Sequence, residues 1–208
     1  MKTAQIRKGC NTASVDPRVN AILSFLAKLT PIKSLVMNMR PEKLFELMCY
    51  LKTANRLTSL NKIPIALNLE RGIFKVNFNP GKVSNSSYLR FTDSSANAED
   101  LNLLMNCEFP GRSGVLHCPD IVLLIGNAEW DIQSIYECKH YSSKLGISVY
   151  REFLGYITEM GLRPWTSKDK RMFKIFPVLS PTIFTSAKTF DHHQKIAKHY
   201  CFNVEDCL

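Results

Sequence analysis

No apolar run in this 208-residue chain approaches the ~20 residues that a membrane-spanning helix needs. The opening residues, Met1-Lys2-Thr3-Ala4-Gln5-Ile6-Arg7-Lys8, lack the apolar stretch of a secretory signal. These two absences predict a protein that is neither exported nor held in a membrane, and so a cytoplasmic one. The seven cysteines (Cys10, Cys49, Cys107, Cys118, Cys138, Cys201, Cys207) include no C-x-x-C pair. Zinc ribbons and fingers need such closely spaced ligands. An odd number of cysteines, several among apolar neighbours, reads instead as small buried thiols in a reducing compartment. No internal repeat and no long low-complexity tract divides the chain.

What is present is ordinary in bulk and uneven in detail. Hydrophobic residues make up 45% and charged residues 22%, the balance of a folded globular chain rather than a disordered one. A mass of 23.7 kDa suits one domain with a small extension. Lys and Arg total 27 against 18 acids, a net charge of +9. Residues 1–40 carry +6, residues 93–137 carry −7 and residues 139–198 carry +7. An acidic cluster inside a basic protein fits a metal site set in a surface for polyanions, or simply an unevenly charged solvated surface.

Asp16-Pro17 supplies a helix N-cap and first-turn proline, and Val19, Ile22, Leu26 and Leu29 continue an amphipathic stripe over 17–29. A second helix is predicted from Pro41 to about Leu57, with Leu44, Leu47, Met48 and Leu51 as its main stripe. Phe45, Cys49 and Tyr50 widen its apolar surface. Phe74, Val76 and Phe78 alternate with polar residues as in a half-buried strand, and 87–91 would return beside it after Asn79-Pro80-Gly81. Residues 93–100 read as an exposed loop. Ile121 to Ile125 reads as a strand buried on both faces, followed by a strand from Ile132 to Lys139. A helix over 147–160, a basic loop, strands at 173–176 and 182–185, a helix around Phe190 to Ala197 and a strand at 201–204 complete the chain. This order predicts an α/β fold with a mixed central sheet flanked by helices.

The chemistry gathers at one hairpin. A loop at 127–130 sets Asp120 directly opposite Glu137, and residues i and i+2 of a strand share a face, so Glu137 and Lys139 project together. Opposed residues have Cβ atoms about 4.5–5.5 Å apart. Two carboxylates that close repel unless a cation lies between them, and oxygen ligands suit Mg²⁺. A neighbouring lysine stabilises developing negative charge or positions the attacking water. His117 and His140 flank the pair and offer substrate contacts or simply sit beside it.

Pro119-Asp120 followed by Glu137-Cys138-Lys139, with a helix before and another after, resembles the PD-(D/E)-x-K nuclease superfamily. The separation of the two acids falls within that family's range. Glu137-Cys138-Lys139-His140-Tyr141 followed by Val149-Tyr150-Arg151-Glu152-Phe153-Leu154-Gly155 is similar to the Mrr-type restriction endonuclease branch, as is Phe184-Thr185-Ser186-Ala187 near the end. Many members of that branch carry Gln where Glu137 stands. Glu152 and Tyr156 also invite comparison with the Gln-x-x-x-Tyr helix of the RecB-like branch, with glutamate replacing glutamine.

The resemblance implies a restriction-endonuclease-like core over 41–208 behind an N-terminal helical extension, 1–40. It implies Asp120, Glu137 and Lys139 as catalytic residues, with Asp120 and Glu137 holding Mg²⁺ (or Mn²⁺). Glu46 best matches the glutamate that the family often carries on its first core helix. On a helical wheel it faces away from the Leu44/Leu47/Leu51 stripe, yet Cys49 and Tyr50 flank it. The expected activity is metal-dependent endonucleolytic hydrolysis of DNA, of restriction or defence type, with double-stranded DNA as the partner. Lys144, Arg151, Arg163, Lys168, Lys170 and Arg171 are the expected backbone contacts. A homodimer is compatible with this reading. The alternatives are a non-catalytic nucleic-acid-binding or assembly module with the same fold, and a junction resolvase or transposase cleavage subunit.

Overall fold

The computed structural model describes residues 40–60, 62–72, 74–92, 99–126, 131–162 and 179–207. The helix expected at 17–29, the hairpin loop at 127–130, the basic loop with Arg163, Lys168, Lys170 and Arg171, and the strand expected at 173–176 lie outside them.

Helix α1 (Pro41–Thr58) opens with proline in its first turn, where the missing N–H breaks no helical hydrogen bond. Strands β1 (Ile63–Leu67), β2 (Tyr88–Thr92) and β3 (Leu101–Met105) follow, then a short hairpin of β4 (Phe109–Pro110) and β5 (Leu116–His117). The chain continues through β6 (Ile121–Ile125), β7 (Ile132–Lys139), α2 (Ile147–Glu159), β8 (Thr182–Thr185), α3 (Asp191–Tyr200) and β9 (Asn203–Asp206). Seven strands form one sheet in the order β1-β2-β3-β6-β7-β8-β9. Pairing is antiparallel from β1 to β7 and parallel from β7 to β9. The protein is thus a mixed α/β fold whose central mixed sheet is flanked by helices.

Alternation along the strands feeds two cores. Ile121 and Leu123 of β6 and Tyr136 and Cys138 of β7 join the core beneath α1. Val122, Leu124 and Ile135 join the core beneath α2 and α3. Asp120, Glu137 and Lys139 continue the second set by parity and face the α2 side. Among the described residues no helix is long and apolar enough to cross a membrane.

Several expectations change. The buried face of α1 centres on Glu46, Tyr50, Thr53 and Leu57, while Leu44 and Met48 of the expected stripe are only partly buried. Polar-tipped side chains on that face find partners inside: the Tyr50 hydroxyl donates to Leu103 O at 3.0 Å and Thr53 Oγ1 to Cys49 O at 2.9 Å. Residues 74–78 are not a strand, and β2 pairs with β1 and β3 instead. Phe74 is buried and Lys75 exposed as the alternation requires, but the segment is held by hydrogen bonds that involve side chains rather than by a ladder. Lys75 N donates to Ser87 Oγ, and Asn77 Nδ2 to Ser86 Oγ and Asn106 O. The last strand begins at Asn203 rather than 201, because Cys201 adopts a left-handed conformation (φ 58°) that ends α3.

Candidate active site

The register between β6 and β7 builds the site. Ile121 opposes Tyr136 and Val122 opposes Ile135, the pairing that sets Asp120 against Glu137; a shift in register occurs only further along, between Leu123 and Leu124. Asp120 is held on both sides. Its Oδ2 accepts a hydrogen bond from the Cys138 N–H at 2.7 Å, and its main-chain oxygen accepts one from Asn106 N at 2.9 Å. Glu137 is buried at 4% exposure, a cost that an ionised carboxylate bears only with a partner. That partner is Lys139, whose Nζ lies 3.0 Å from Glu137 Oε2.

The electrostatics follow from burial and crowding. Burial, then the charge of Glu46, pushes the Asp120 carboxyl up to about 6, against the Cys138 N–H and the ammonium groups of Lys139 and Lys43. Burial, then the charge of Asp120, pushes Glu137 up to about 8, with Lys139 opposing the rise. Burial works against the Lys139 ammonium, but the Glu137 carboxylate more than offsets it and holds Lys139 above the usual lysine value. The carboxylates of Asp120, Glu137 and Glu46 and the ammonium groups of Lys139 and Lys43 thus act on one another at these strand ends.

Glu46 reaches these strand ends from α1, where its charge acts on Asp120. Its two oxygens both accept from Lys43 Nζ at 2.8 Å, and Oε2 also accepts from Asn106 Nδ2 at 3.3 Å. From α2, Glu152 acts electrostatically on Glu137 and Lys139. Tyr156 lies in the field of the same groups, and burial first raises its hydroxyl above the usual value. The His117 ring packs edge-on against Tyr156, with centroids 5.6 Å apart. His140 stacks obliquely near Phe45 at 5.5 Å. The chain thus brings Asp120, Glu137, Lys139 and Glu46 into one electrostatic neighbourhood.

Among the described residues no group of three or more His, Cys, Asp and Glu side chains is arranged to hold a metal ion. The expected phosphate contacts divide. Lys144 and Arg151 are exposed, Lys144 with its ammonium 4.4 Å above the Phe190 ring. Arg163, Lys168, Lys170 and Arg171 fall outside the described residues. Sequence reasoning missed Asn106 and Lys43. Lys43 sits one turn before Glu46 and was open to an i,i+3 reading. Asn106 carried no signal, since its contacts join segments sixty residues apart in number only through the fold.

No family model, curated protein or solved structure matches the chain.

Proposed function

We propose that the chain is a divalent-metal-dependent nuclease with a restriction-endonuclease-like core, cleaving DNA as an endonuclease of restriction or defence type. The observation that carries this reading is the buried Asp120–Glu137 pair: burial raises both carboxyls, the Glu46 charge adds to the rise of Asp120 and the Asp120 charge to that of Glu137, while Lys139 is tied to Glu137. Such a pair is stabilised by a cation bound between its members.

The donor set fits Mg²⁺ or Mn²⁺. Mg²⁺ takes hard oxygen ligands and usually keeps several waters, needing only one or two protein carboxylates. Asp120 has Oδ1 uncommitted to the Cys138 N–H, and Glu137 has Oε1 uncommitted to Lys139. Asp120 and Glu137 would hold the ion, with the Glu46 charge acting on Asp120 from α1. The ion, when bound, supplies an activated water and neutralises charge on the phosphate. Lys139, kept protonated, donates to a phosphate oxygen or orients the water. The Cys138 N–H fixes the Asp120 carboxylate so that it need not reorganise. Lys144 and Arg151 would track the backbone without reading bases.

One observation favours a second reading. The absence of a three-ligand group among the described residues suits a non-catalytic nucleic-acid-binding module with the same fold. The deciding experiment incubates the full chain with linear duplex, branched and single-stranded DNA, and with RNA, under Mg²⁺, Mn²⁺, Ca²⁺ and chelator. Cleavage is expected with Mg²⁺ and Mn²⁺, little with Ca²⁺, and none for Asp120→Ala, Glu137→Ala or Lys139→Ala, which still bind. Cleavage in chelator, or by Asp120→Ala, overturns the mechanism. Binding by wild type without cleavage on any substrate favours the module.

A further inference from the structure

We propose that Cys49 and Cys207 are a thiol pair that a small aliphatic disulfide oxidises to a protein disulfide, stapling the edge strand β9 to α1. The inference is independent of the nuclease reading.

Three thiols from distant parts of the chain meet beneath α1. The Cys49 thiol is in hydrogen-bonding contact with both the Cys138 thiol of β7 and the Cys207 thiol just after β9. Strand parity explains the meeting. Glu205 faces α1, where Arg56 holds it through hydrogen bonds of 2.7 and 2.6 Å, and Cys207 lies two residues further on the same side. Cys49, Lys52 and Arg56 follow at three- and four-residue steps and share one face of α1. Lys52 Nζ donates to Cys207 Sγ at 3.4 Å, and Cys207 N donates to Thr185 O at 2.9 Å, extending the pairing with β8. Contacts outside the thiols therefore already deliver the Cys207 sulfur to Cys49. A bond between sulfurs so placed asks for little backbone movement.

Access separates the three thiols. Cys49 is 1% exposed and Cys138 9%, whereas Cys207 is only half-buried, so an oxidant in solution meets Cys207 first. The Lys52 ammonium favours the Cys207 thiolate, the form that attacks. The Cys49 thiol, then burial, oppose it and hold Cys207 above the ordinary value. Burial, then the Cys138 thiol, raises Cys49 as well. The exchange is accordingly slow at neutral pH and quickens as pH rises. In the first step Cys207 loses its proton to solvent and attacks one sulfur of the small disulfide. That S–S bond breaks, one half leaves as a thiolate, and the other stays on Cys207. In the second step Cys49 gives up its proton and attacks the Cys207 sulfur, and the second half leaves as a thiolate. Two protein thiols are oxidised, one small disulfide is reduced to two thiols, and no other reactant is needed. The closed loop spans most of the chain, and long loops constrain the unfolded state most.

The test treats the reduced full-length chain, free of air, with glutathione disulfide at about pH 8.5, near the ordinary thiol value. Acid stops the exchange, N-ethylmaleimide caps the remaining thiols, and peptides are mapped without reduction. The expected product is capped at all but two of its seven cysteines and carries one cross-linked peptide, Cys49 to Cys207. Cys207→Ser should give no cross-link and no glutathione on Cys49, while Cys49→Ala should leave glutathione stranded on Cys207. The oxidised wild type should melt several degrees above the reduced chain, and Cys207→Ser should show no such rise. If Cys49→Ala does not melt cooperatively, the wild-type map and Cys207→Ser decide alone. A Cys49–Cys138 cross-link, a wild type that stops at glutathione on Cys207, or cross-links scattered as in the urea-unfolded chain overturns the pair. A Cys49–Cys207 chain that melts no higher than the reduced one overturns the staple.

Discussion

Glu137 lies almost wholly out of water beside a second carboxylate, and the direction of its shift fixes a pH dependence. A carboxyl raised in the folded chain, about 8 for Glu137 and about 6 for Asp120, adds stability that is complete below the unfolded values near 4. That contribution is lost as pH rises through the folded values. Lys139, held above the usual lysine value, stays charged throughout and adds no slope there. In chelator, the melting temperature of wild type should therefore fall from pH 5 to pH 8.5. Glu137→Gln, which cannot ionise, should fall less steeply, so the difference between the two moves in the variant's favour at high pH. Parallel melting curves across that range would contradict the burial argument. At this scale the sequence was largely legible. Asp120, Glu137 and Lys139 follow from strand parity and loop length, both of which are local. Asn106 was not legible, because its value depends on a positive φ and on which strand lies beside it.

A long apolar run or a helical stripe was readable, whereas the alternation at 74–78 belongs to no strand. Strand β6 announces itself by a continuous apolar run and α2 by a three-four stripe. Leu101 to Met105 is buried on every residue, including Asn102, and so offers no alternation to read as β3. The hairpin of β4 and β5 went unseen because two residues a side make no pattern, and tertiary contacts hold it. Arg112 N donates to Glu159 O at 2.8 Å at the end of α2, and Ser113 Oγ donates to Glu159 Oε2 at 2.6 Å. Those bonds from Ser113 hold the Glu159 carboxyl below its usual value. Gly111 is the close approach in this joint, since a Cβ there would meet Glu159 Oε2 and the His117 ring at 2.7 Å. Gly111→Ala should destabilise the chain by about 1–2 kcal/mol in urea melts, the usual cost of forcing packed atoms apart. Adding Glu159→Ala should cost less than the sum of the two single changes, because it removes half of the clash. A neutral Gly111→Ala would show that the hairpin shifts freely.

Across the whole molecule, the sequence order predicts a mixed sheet but not the strand order, which depends on β3 lying between β2 and β6. The charge map is readable without any fold, and it tests the proposed phosphate contacts rather than stability. The acids of 93–137 include the pair at the strand ends, while Lys144 and Arg151, both exposed, follow Lys139 in the chain. If these two residues each neutralise a phosphate, each contributes about −0.9 to the slope of log affinity against log salt on duplex DNA. Replacing both with alanine should flatten that slope by roughly two units, and equally on every sequence, since phosphate contacts carry no base information. Binding would be followed by fluorescence anisotropy in Ca²⁺ from 50 to 300 mM salt, conditions chosen to hold cleavage down. Lys144 packs over Phe190, so its loss carries a packing cost that thermal melts of the same variant separate from the loss of charge. A slope that flattens on one sequence alone would assign the pair to base readout. An unchanged slope would make them ordinary solvated surface and move the phosphate track to the basic residues of 163–171 and the N-terminal segment, where the same measurement on Lys168→Ala, Lys170→Ala and Arg171→Ala combined applies.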